Sequence, residues 1–132
     1  MSDARTPRVL VVDDDDHVRG MLCDALLTWG CRVDAAGSSA KALELFAQGD
    51  YDLVLTDFRM PGGDGLNLIE GLRHADPAIG VIMLTASSAD LDDLGRRHGF
   101  VVLRKPLPFE GLKAAVSQAL DRRSPGPSVA LP

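Results

Sequence analysis

Cysteine and long hydrophobic runs are scarce in this sequence. Its 132 residues include 2 cysteines, Cys23 and Cys31, whose spacing matches no metal-binding pattern of cysteine and histidine. We therefore interpret both as small core side chains. The apolar runs, such as residues 9–12 and 81–84, are far shorter than a signal peptide core or a membrane span requires. These absences predict a soluble, cytoplasmic protein without a membrane partner.

Positive charge is also in short supply. Lysine and arginine number 14 against 19 aspartate and glutamate residues, a net charge of −5, and this balance opposes binding to nucleic-acid phosphates. We therefore expect no nucleic-acid partner. The length is that of one ordinary domain, and 45% apolar residues suffice for a core without disulfides. We predict an N-terminal extension at residues 1–7, a folded domain at 8–121 and a disordered tail at 122–132.

The spacing of apolar residues predicts both helices and strands. Amphipathic patterns with steps of three and four predict five helices, at 18–29, 39–47, 65–75, 89–97 and 112–120. Pro108 precedes the last pattern, at a place where a first helical turn tolerates proline. Short apolar runs predict five strands, at residues 9–12, around 33, 53–55, 81–84 and 100–103. Apolar strands that alternate with helices are typical of a parallel sheet covered on both faces. The predicted fold is therefore α/β.

Polar residues follow four of the five predicted strands. Asp13 and Asp14 come after the first strand, Asp57 after the third, Thr85 after the fourth and Lys105 after the fifth. The carboxyl ends of parallel strands meet at one edge of the sheet, where ligand sites form. Taken singly, each residue is also explained as a helix cap, a turn residue or a solvated side chain. Taken together, they predict one site.

Carboxylates that converge at such a site need a cation. They repel one another by about 1 kcal/mol per pair in water and by more when partly buried. Mg²⁺ prefers oxygen ligands and leaves room for phosphate oxygens. With positive charge from Lys105 and a hydroxyl donor from Thr85, Asp57 is a candidate nucleophile that would form an aspartyl phosphate. We interpret Asp15 and Asp16 instead as capping residues of the first helix.

Four motifs occur in order at these strand ends: VLVVDDDD, LVLTDFRMPGGDG, VIMLTAS and LRKP. Together they resemble the motifs of the receiver domain of two-component response regulators, of the chemotaxis-regulator type. The resemblance covers residues 8–121. It implies a doubly wound, flavodoxin-like parallel sheet of five strands in the order 2-1-3-4-5, with five helices. It also implies a role in signal transduction by phosphorelay.

The resemblance implies roles for individual residues. Asp57 would accept a phosphoryl group from the phosphohistidine of a sensor histidine kinase or of a histidine phosphotransfer protein. Asp13, Asp14, Asp57 and the backbone carbonyl of Arg59 would hold Mg²⁺. Such a protein catalyses only its own phosphorylation and slow dephosphorylation, so we do not expect an enzyme in the usual sense. Its output would be a phosphorylation-dependent contact with a downstream protein.

Other positions follow or depart from the family pattern. Thr85 would hydrogen-bond the phosphoryl group, while Lys105 would pair with it and, before phosphorylation, with Asp57. The family usually carries an aromatic residue three positions before the lysine, where this chain has Val102. We expect the output not to depend on an aromatic side chain there. The stretch from Thr85 to Lys105 is also shorter than the family pattern, so we expect a shortened or mobile fourth helix.

Two other functions are compatible with the sequence. One is a binding module of the same fold that is never phosphorylated, which the valine at position 102 favours. The other is a phosphatase similar to haloacid dehalogenases, because Asp13 and Asp15 follow a strand with one residue between them. That family needs acidic metal ligands after the lysine, where this chain offers Glu110 and Asp121, both in the predicted last helix. It also leaves Asp57 without a role.

Overall fold

A computed structural model of the chain describes residues 6–60, 63–85, 91–105 and 109–123. Within these residues, five parallel strands form the main sheet, in the spatial order β2-β1-β3-β4-β5 when they are numbered along the chain. They are β1 (Arg8–Val12), β2 (Arg32–Ala36), β3 (Leu53–Asp57), β4 (Gly80–Thr85) and β5 (Val101–Arg104). A separate antiparallel hairpin, left outside this numbering, pairs Arg59–Met60 with Gly63–Asp64.

Helices cover both faces of the sheet. Along the described chain they are α1 (Asp16–Thr28), α2 (Ser39–Gln48), α3 (Gly65–Ala75), α4 (Asp92–His98) and α5 (Phe109–Arg123). The hydrophobic layer on one face contains buried side chains of α2 and α3, together with Leu91, Leu94 and Phe100 in and beside α4. The hydrophobic layer on the other face contains buried side chains of α1 and α5. None of these helices is both long and apolar enough to cross a membrane.

Each inner strand contributes to both hydrophobic layers. In β1, Leu10 and Val12 belong to the layer of α2 and α3, whereas Val9 and Val11 belong to the layer of α1 and α5. Successive side chains of a strand point to opposite faces, so a strand buried on both faces has no polar alternation. This accounts for the unbroken apolar runs. In the described residues the predicted fold is confirmed: a doubly wound α/β sheet in the order 2-1-3-4-5 with five helices.

Three details differ from the prediction. Phe100, predicted in the last strand, precedes β5, and its N–H donates to the carbonyl of Gly95 at 2.9 Å, which closes the end of α4. The hairpin was not predicted, since strands of 2 residues carry no periodic signal. Helix α5 runs from Phe109 to Arg123, beyond the predicted pattern at 112–120, and residues 109–124 contain no proline that would interrupt it. The predicted start of the fourth helix at 89, Pro108 and residues 124–132 lie outside the described residues.

Arg73 of α3 holds the C-terminal end of α4. Its Nη1 and Nη2 donate to the carbonyls of His98 and Gly99 at 2.7 and 3.1 Å, and its Nε donates to the carbonyl of Ile79 at 3.0 Å. The last carbonyls of a helix have no partner within the helix, so the guanidinium supplies donors that are otherwise missing. Gly99 ends the helix with a φ of +71°, a conformation that favours glycine. Arg73 therefore ties α4 to α3.

A polar cluster joins β1, β2 and the start of β3, away from the strand ends that carry Asp13 and Asp57. Nη2 of Arg8 lies 3.0 Å from Oδ2 of Asp34, and the Tyr51 hydroxyl donates to the same oxygen at 2.7 Å. Burial, followed by the hydrogen bond to Asp34, raises the pKa of Tyr51 to about 12. The same hydrogen bond, with support from Arg8, lowers the pKa of Asp34.

Tyr51 is the single tyrosine of the chain, so the ultraviolet absorbance of tyrosinate reports its ionisation alone. We expect a titration midpoint near 12 in the native protein and near 10.0 in denaturant. The unfolded chain loses this proton first, so the free energy of unfolding should fall as pH rises from 10.0 to about 12. Asp34→Asn should lower the native midpoint, and Tyr51→Phe should remove this part of the pH dependence. Equal midpoints in native and denatured protein would contradict the prediction.

Candidate metal centre

The strand ends bring the candidate residues to one edge of the sheet. Asp13 directly follows β1, Asp57 is the last residue of β3, Thr85 is the last residue of β4 and Lys105 directly follows β5. One carboxylate oxygen from each of Asp13, Asp14 and Asp57 lies within 4.8 Å of the other two. The structure therefore gathers the three carboxylates that the sequence pointed to.

Asp13 is completely buried, and each of its polar groups has a partner. Its N–H donates to the carbonyl of Ala36 at 3.1 Å, and its own carbonyl accepts from Nη1 of Arg19 at 2.8 Å. Its Oδ1 accepts from the N–H of Asp15 at 2.9 Å, and its Oδ2 lies 3.4 Å from Nζ of Lys105. A buried carboxylate is costly unless it is paired in this way. Asp13 is thus held in one orientation.

Asp14 and Asp57 are the accessible members of the cluster. Asp14 is exposed, and the side chain of Asp57 retains 15% of its accessible surface. In the part of the chain that the structure describes, the ammonium of Lys105 lies 3.4 Å from both Asp13 and Asp57. Among these described groups, three carboxylates face one ammonium, which is an excess of negative charge. Hard oxygen donors with excess negative charge suit a divalent cation such as Mg²⁺.

Lys105 and Thr85 are fixed beside the cluster by the sheet. The backbone N–H of Lys105 donates to the carbonyl of Thr85 at 2.8 Å, which extends the pairing of β4 with β5 by one residue. Thr85 is 1% exposed, and the side chain of Lys105 is 21% exposed. The ammonium lies at ion-pair distance from two carboxylates, longer than the best hydrogen bonds. The structure brings both residues to the expected edge, and their roles toward a phosphoryl group remain predictions.

Arg59 lies two residues beyond Asp57, on the first strand of the hairpin, where it pairs with Asp64. The hairpin returns the chain directly to α3, which begins at Gly65. The role of the Arg59 carbonyl as a metal ligand remains a prediction. Asp15 is the N-cap of α1, and its carboxylate accepts from the N–H groups of His17 and Val18, as expected for a capping residue.

Gly65 is a residue of the site that sequence reasoning did not single out. Its N–H donates to the carbonyl of Phe58 at 2.7 Å. A Cβ atom at this position would lie 3.0 Å from the backbone oxygen of Asp57 and 2.8 Å from Sδ of the buried Met83. The start of α3 is therefore packed directly against the backbone of Asp57. The available signal was a glycine at the start of a helix, where its low helix propensity needs an explanation.

Arg19 was also missed, because a charged side chain on an amphipathic helix is usually interpreted as solvated. Its contact with the backbone of Asp13 depends on how the chain turns between β1 and α1. The order of residues along the chain does not show that turn.

Comparison with known proteins agrees with this geometry. A model of the response regulator receiver domain matches residues 9–117. The chain belongs to this family of two-component signalling proteins, as the four motifs indicated. The transcriptional regulatory protein ZraR of Klebsiella oxytoca is 38% identical over 114 residues, which are 85% of this chain and 26% of that protein. The chain spans about a quarter of the length of such curated relatives.

Solved structures of receiver proteins share the fold. A receiver domain protein from Clostridium thermocellum has a TM-score of 0.82 and 30% identity, over 89% of this chain and 96% of that chain. The response regulator protein TrrA of Thermotoga maritima, crystallised in complex with Mg²⁺ and BeF, has a TM-score of 0.77 and 35% identity. That match covers 87% of this chain and 100% of TrrA.

The close packing at Gly65 leads to a prediction with an internal control. Gly65→Ala should destabilise the protein by about 1–3 kcal/mol, because the new methyl group must displace Met83 and the Asp57 backbone. Gly20→Ala, in α1, meets nothing within 4 Å and should stabilise the protein by about 0.5–1 kcal/mol. Urea unfolding of both variants measures the difference. Equal effects of the two substitutions would contradict the packing argument.

Proposed function

We propose that this receiver domain accepts a phosphoryl group on Asp57 in an Mg²⁺-dependent reaction and signals through phosphorylation-dependent contacts with another protein. The donor would be the phosphohistidine of a sensor histidine kinase or of a histidine phosphotransfer protein. The observation that carries the proposal is the position of the Asp57 carboxylate. It is partly exposed, it lies 3.4 Å from the ammonium of Lys105 and it shares a cluster with Asp13 and Asp14.

The transfer is a displacement at phosphorus. An oxygen of Asp57 forms a bond to phosphorus while the P–N bond to the donor imidazole breaks. The electron pair of that bond returns to the ring nitrogen, and the imidazole leaves in its neutral form because its other nitrogen carries a proton. Later attack by water on the aspartyl phosphate releases inorganic phosphate and restores the carboxylate. Positioning and charge stabilisation supply most of the catalysis in such reactions.

Different residues of the site would bind the metal and stabilise the phosphoryl group. Asp13, Asp14, Asp57 and the backbone carbonyl of Arg59 would hold Mg²⁺, which supplies positive charge to the phosphoryl oxygens when it is bound. The ammonium of Lys105 would pair with a phosphoryl oxygen after its interaction with Asp57 is exchanged. The hydroxyl of Thr85 would donate a hydrogen bond to another. Asp13, already fixed by its own partners, would keep the cluster in place during the reaction.

We further propose that the chain is not an enzyme toward other substrates and that it acts in the cytoplasm through protein partners, without membrane contact. The expectation that no nucleic acid is a partner is not confirmed, because the relative ZraR is named a transcriptional regulatory protein. The net charge of −5 supports this expectation for the chain itself. Glu110 and Asp121 lie in α5, and the described carboxylate cluster includes Asp57 instead, so the phosphatase alternative gains no support.

Phosphorylation is tested with a small phosphodonor and Mg²⁺. We expect mass spectrometry to find one added phosphoryl group on Asp57, and none after Mg²⁺ is removed with a chelator or in the Asp57→Asn variant. Asp24→Asn, at an exposed position of α1, serves as the matched control and should react as the native protein does. If the native protein gains no phosphoryl group, the chain is a binding module that is not phosphorylated.

Lys105→Ala should separate cation binding from phosphoryl transfer. Loss of the ammonium removes a positive charge beside the cluster, so we expect Mg²⁺ to bind more tightly in a calorimetric titration. The rate of phosphorylation should fall about tenfold or more, because a donor to the transferring group is lost. Lys41→Ala, which removes a surface ion pair with Glu44, should change neither quantity. A native phosphorylation rate in Lys105→Ala would contradict the assigned role.

A further inference from the structure

Arg19, the fourth residue of α1, reaches back to the backbone of the acidic cluster. Its Nη1 donates to the carbonyl of Asp13 at 2.8 Å, and its Nη2 pairs with the carboxylate of Asp16. The Arg19 side chain is 26% exposed, whereas that of Asp16 is 86% exposed. The two ends of the guanidinium therefore have different surroundings. One is directed to a buried residue of the cluster, and the other is directed to the surface.

The same guanidinium lies against the loop that follows β2. A Cβ atom on Gly37 would lie 3.3 Å from Nη1 of Arg19, so this loop passes close to the charged group. The preceding residue, Ala36, accepts a hydrogen bond from the N–H of Asp13 at 3.1 Å. The backbone of Asp13 is thus held from two sides, by Ala36 at its N–H and by Arg19 at its carbonyl.

We propose that Arg19 is a positioning residue that sets the affinity of the acidic cluster for Mg²⁺, an inference that rests on the proposed function. It contacts none of the three carboxylates of the cluster in the described contacts. It acts through the peptide group between Asp13 and Asp14, whose carbonyl it binds. That peptide sets the direction in which the two neighbouring carboxylates leave the backbone. A planar guanidinium is suited to hold a carbonyl and a carboxylate at once.

A simpler account makes Arg19 a nearby positive charge, and the two accounts predict opposite signs. If the charge alone mattered, its removal would tighten Mg²⁺ binding, as expected for Lys105→Ala. If the hydrogen bond to Asp13 positions the cluster, its removal leaves that carbonyl without its donor and lets the peptide reorient. Mg²⁺ binding then weakens. Loss of groups that orient metal ligands typically lowers metal affinity about 10- to 100-fold.

The test is calorimetric titration of Mg²⁺ alone, without a phosphodonor, into the full chain and its variants. We expect Arg19→Ala to raise the Kd about tenfold, and Arg19→Lys to give an intermediate Kd because it keeps the charge and one donor. Arg96→Ala is the matched control. It removes the same residue type from an exposed ion pair of the same spacing, Asp93 with Arg96, and should leave the Kd unchanged.

The outcomes separate this inference from the function on which it rests. An Arg19→Ala Kd equal to or below that of the native protein, with Mg²⁺ binding intact in the latter, overturns the role of Arg19 alone. No Mg²⁺ binding by the native protein overturns the metal site and the inference together. If Arg19→Ala does not fold in a thermal melt, Arg19→Lys decides, and a native Kd in that variant overturns the proposal.

Discussion

Mutual repulsion among Asp13, Asp14 and Asp57 is the interaction around which the carboxyl edge of the sheet is arranged. One oxygen of each lies within 4.8 Å of the other two, and the described residues place the ammonium of Lys105 beside Asp13 and Asp57. Like charges at this distance destabilise the folded chain unless the surroundings compensate. Part of the compensation is permanent, since Asp13 accepts from the amide of Asp15 and lies beside Lys105. The excess of negative charge that remains among the described groups would favour the binding of a cation.

The two hydrophobic layers hold the three carboxylates close together in spite of their repulsion. The inner strands β1, β3 and β4 are packed on both faces by buried side chains, so their ends cannot separate to relieve the repulsion without disrupting the core. The registers of the parallel strands determine which residues emerge side by side. Close packing of Gly65 against the backbone of Asp57 adds a further restraint, because it fixes where the chain goes after β3. Core stability and site geometry therefore depend on the same contacts.

The sequence was sufficient to predict the features that depend on the periodicity of apolar residues and on the polar residues at strand ends. Unbroken apolar runs located the strands, and helical spacing placed α3 at its observed bounds of Gly65–Ala75. The hairpin after Asp57 escaped prediction because two residues per strand show no period. The contacts of Arg19 and Arg73 escaped it for another reason. Both side chains bind backbone carbonyls of a different segment, and residue identity alone does not indicate such a partner.

The hold of Arg73 on the end of α4 affects how this segment can change over evolution. Two N–H groups of its guanidinium donate hydrogen bonds to the carbonyls of His98 and Gly99. After Gly99 a single residue, Phe100, precedes β5. Adding or removing residues at that end would break the hydrogen bonds from Arg73 to these two carbonyls. An insertion or deletion at the amino-terminal side of the helix, which follows β4 and Thr85 in the sequence, would leave these hydrogen bonds intact. A change in the length of α4 would then fall on the segment that joins the helix to Thr85, a residue of the candidate site, and not on the segment that leads into β5.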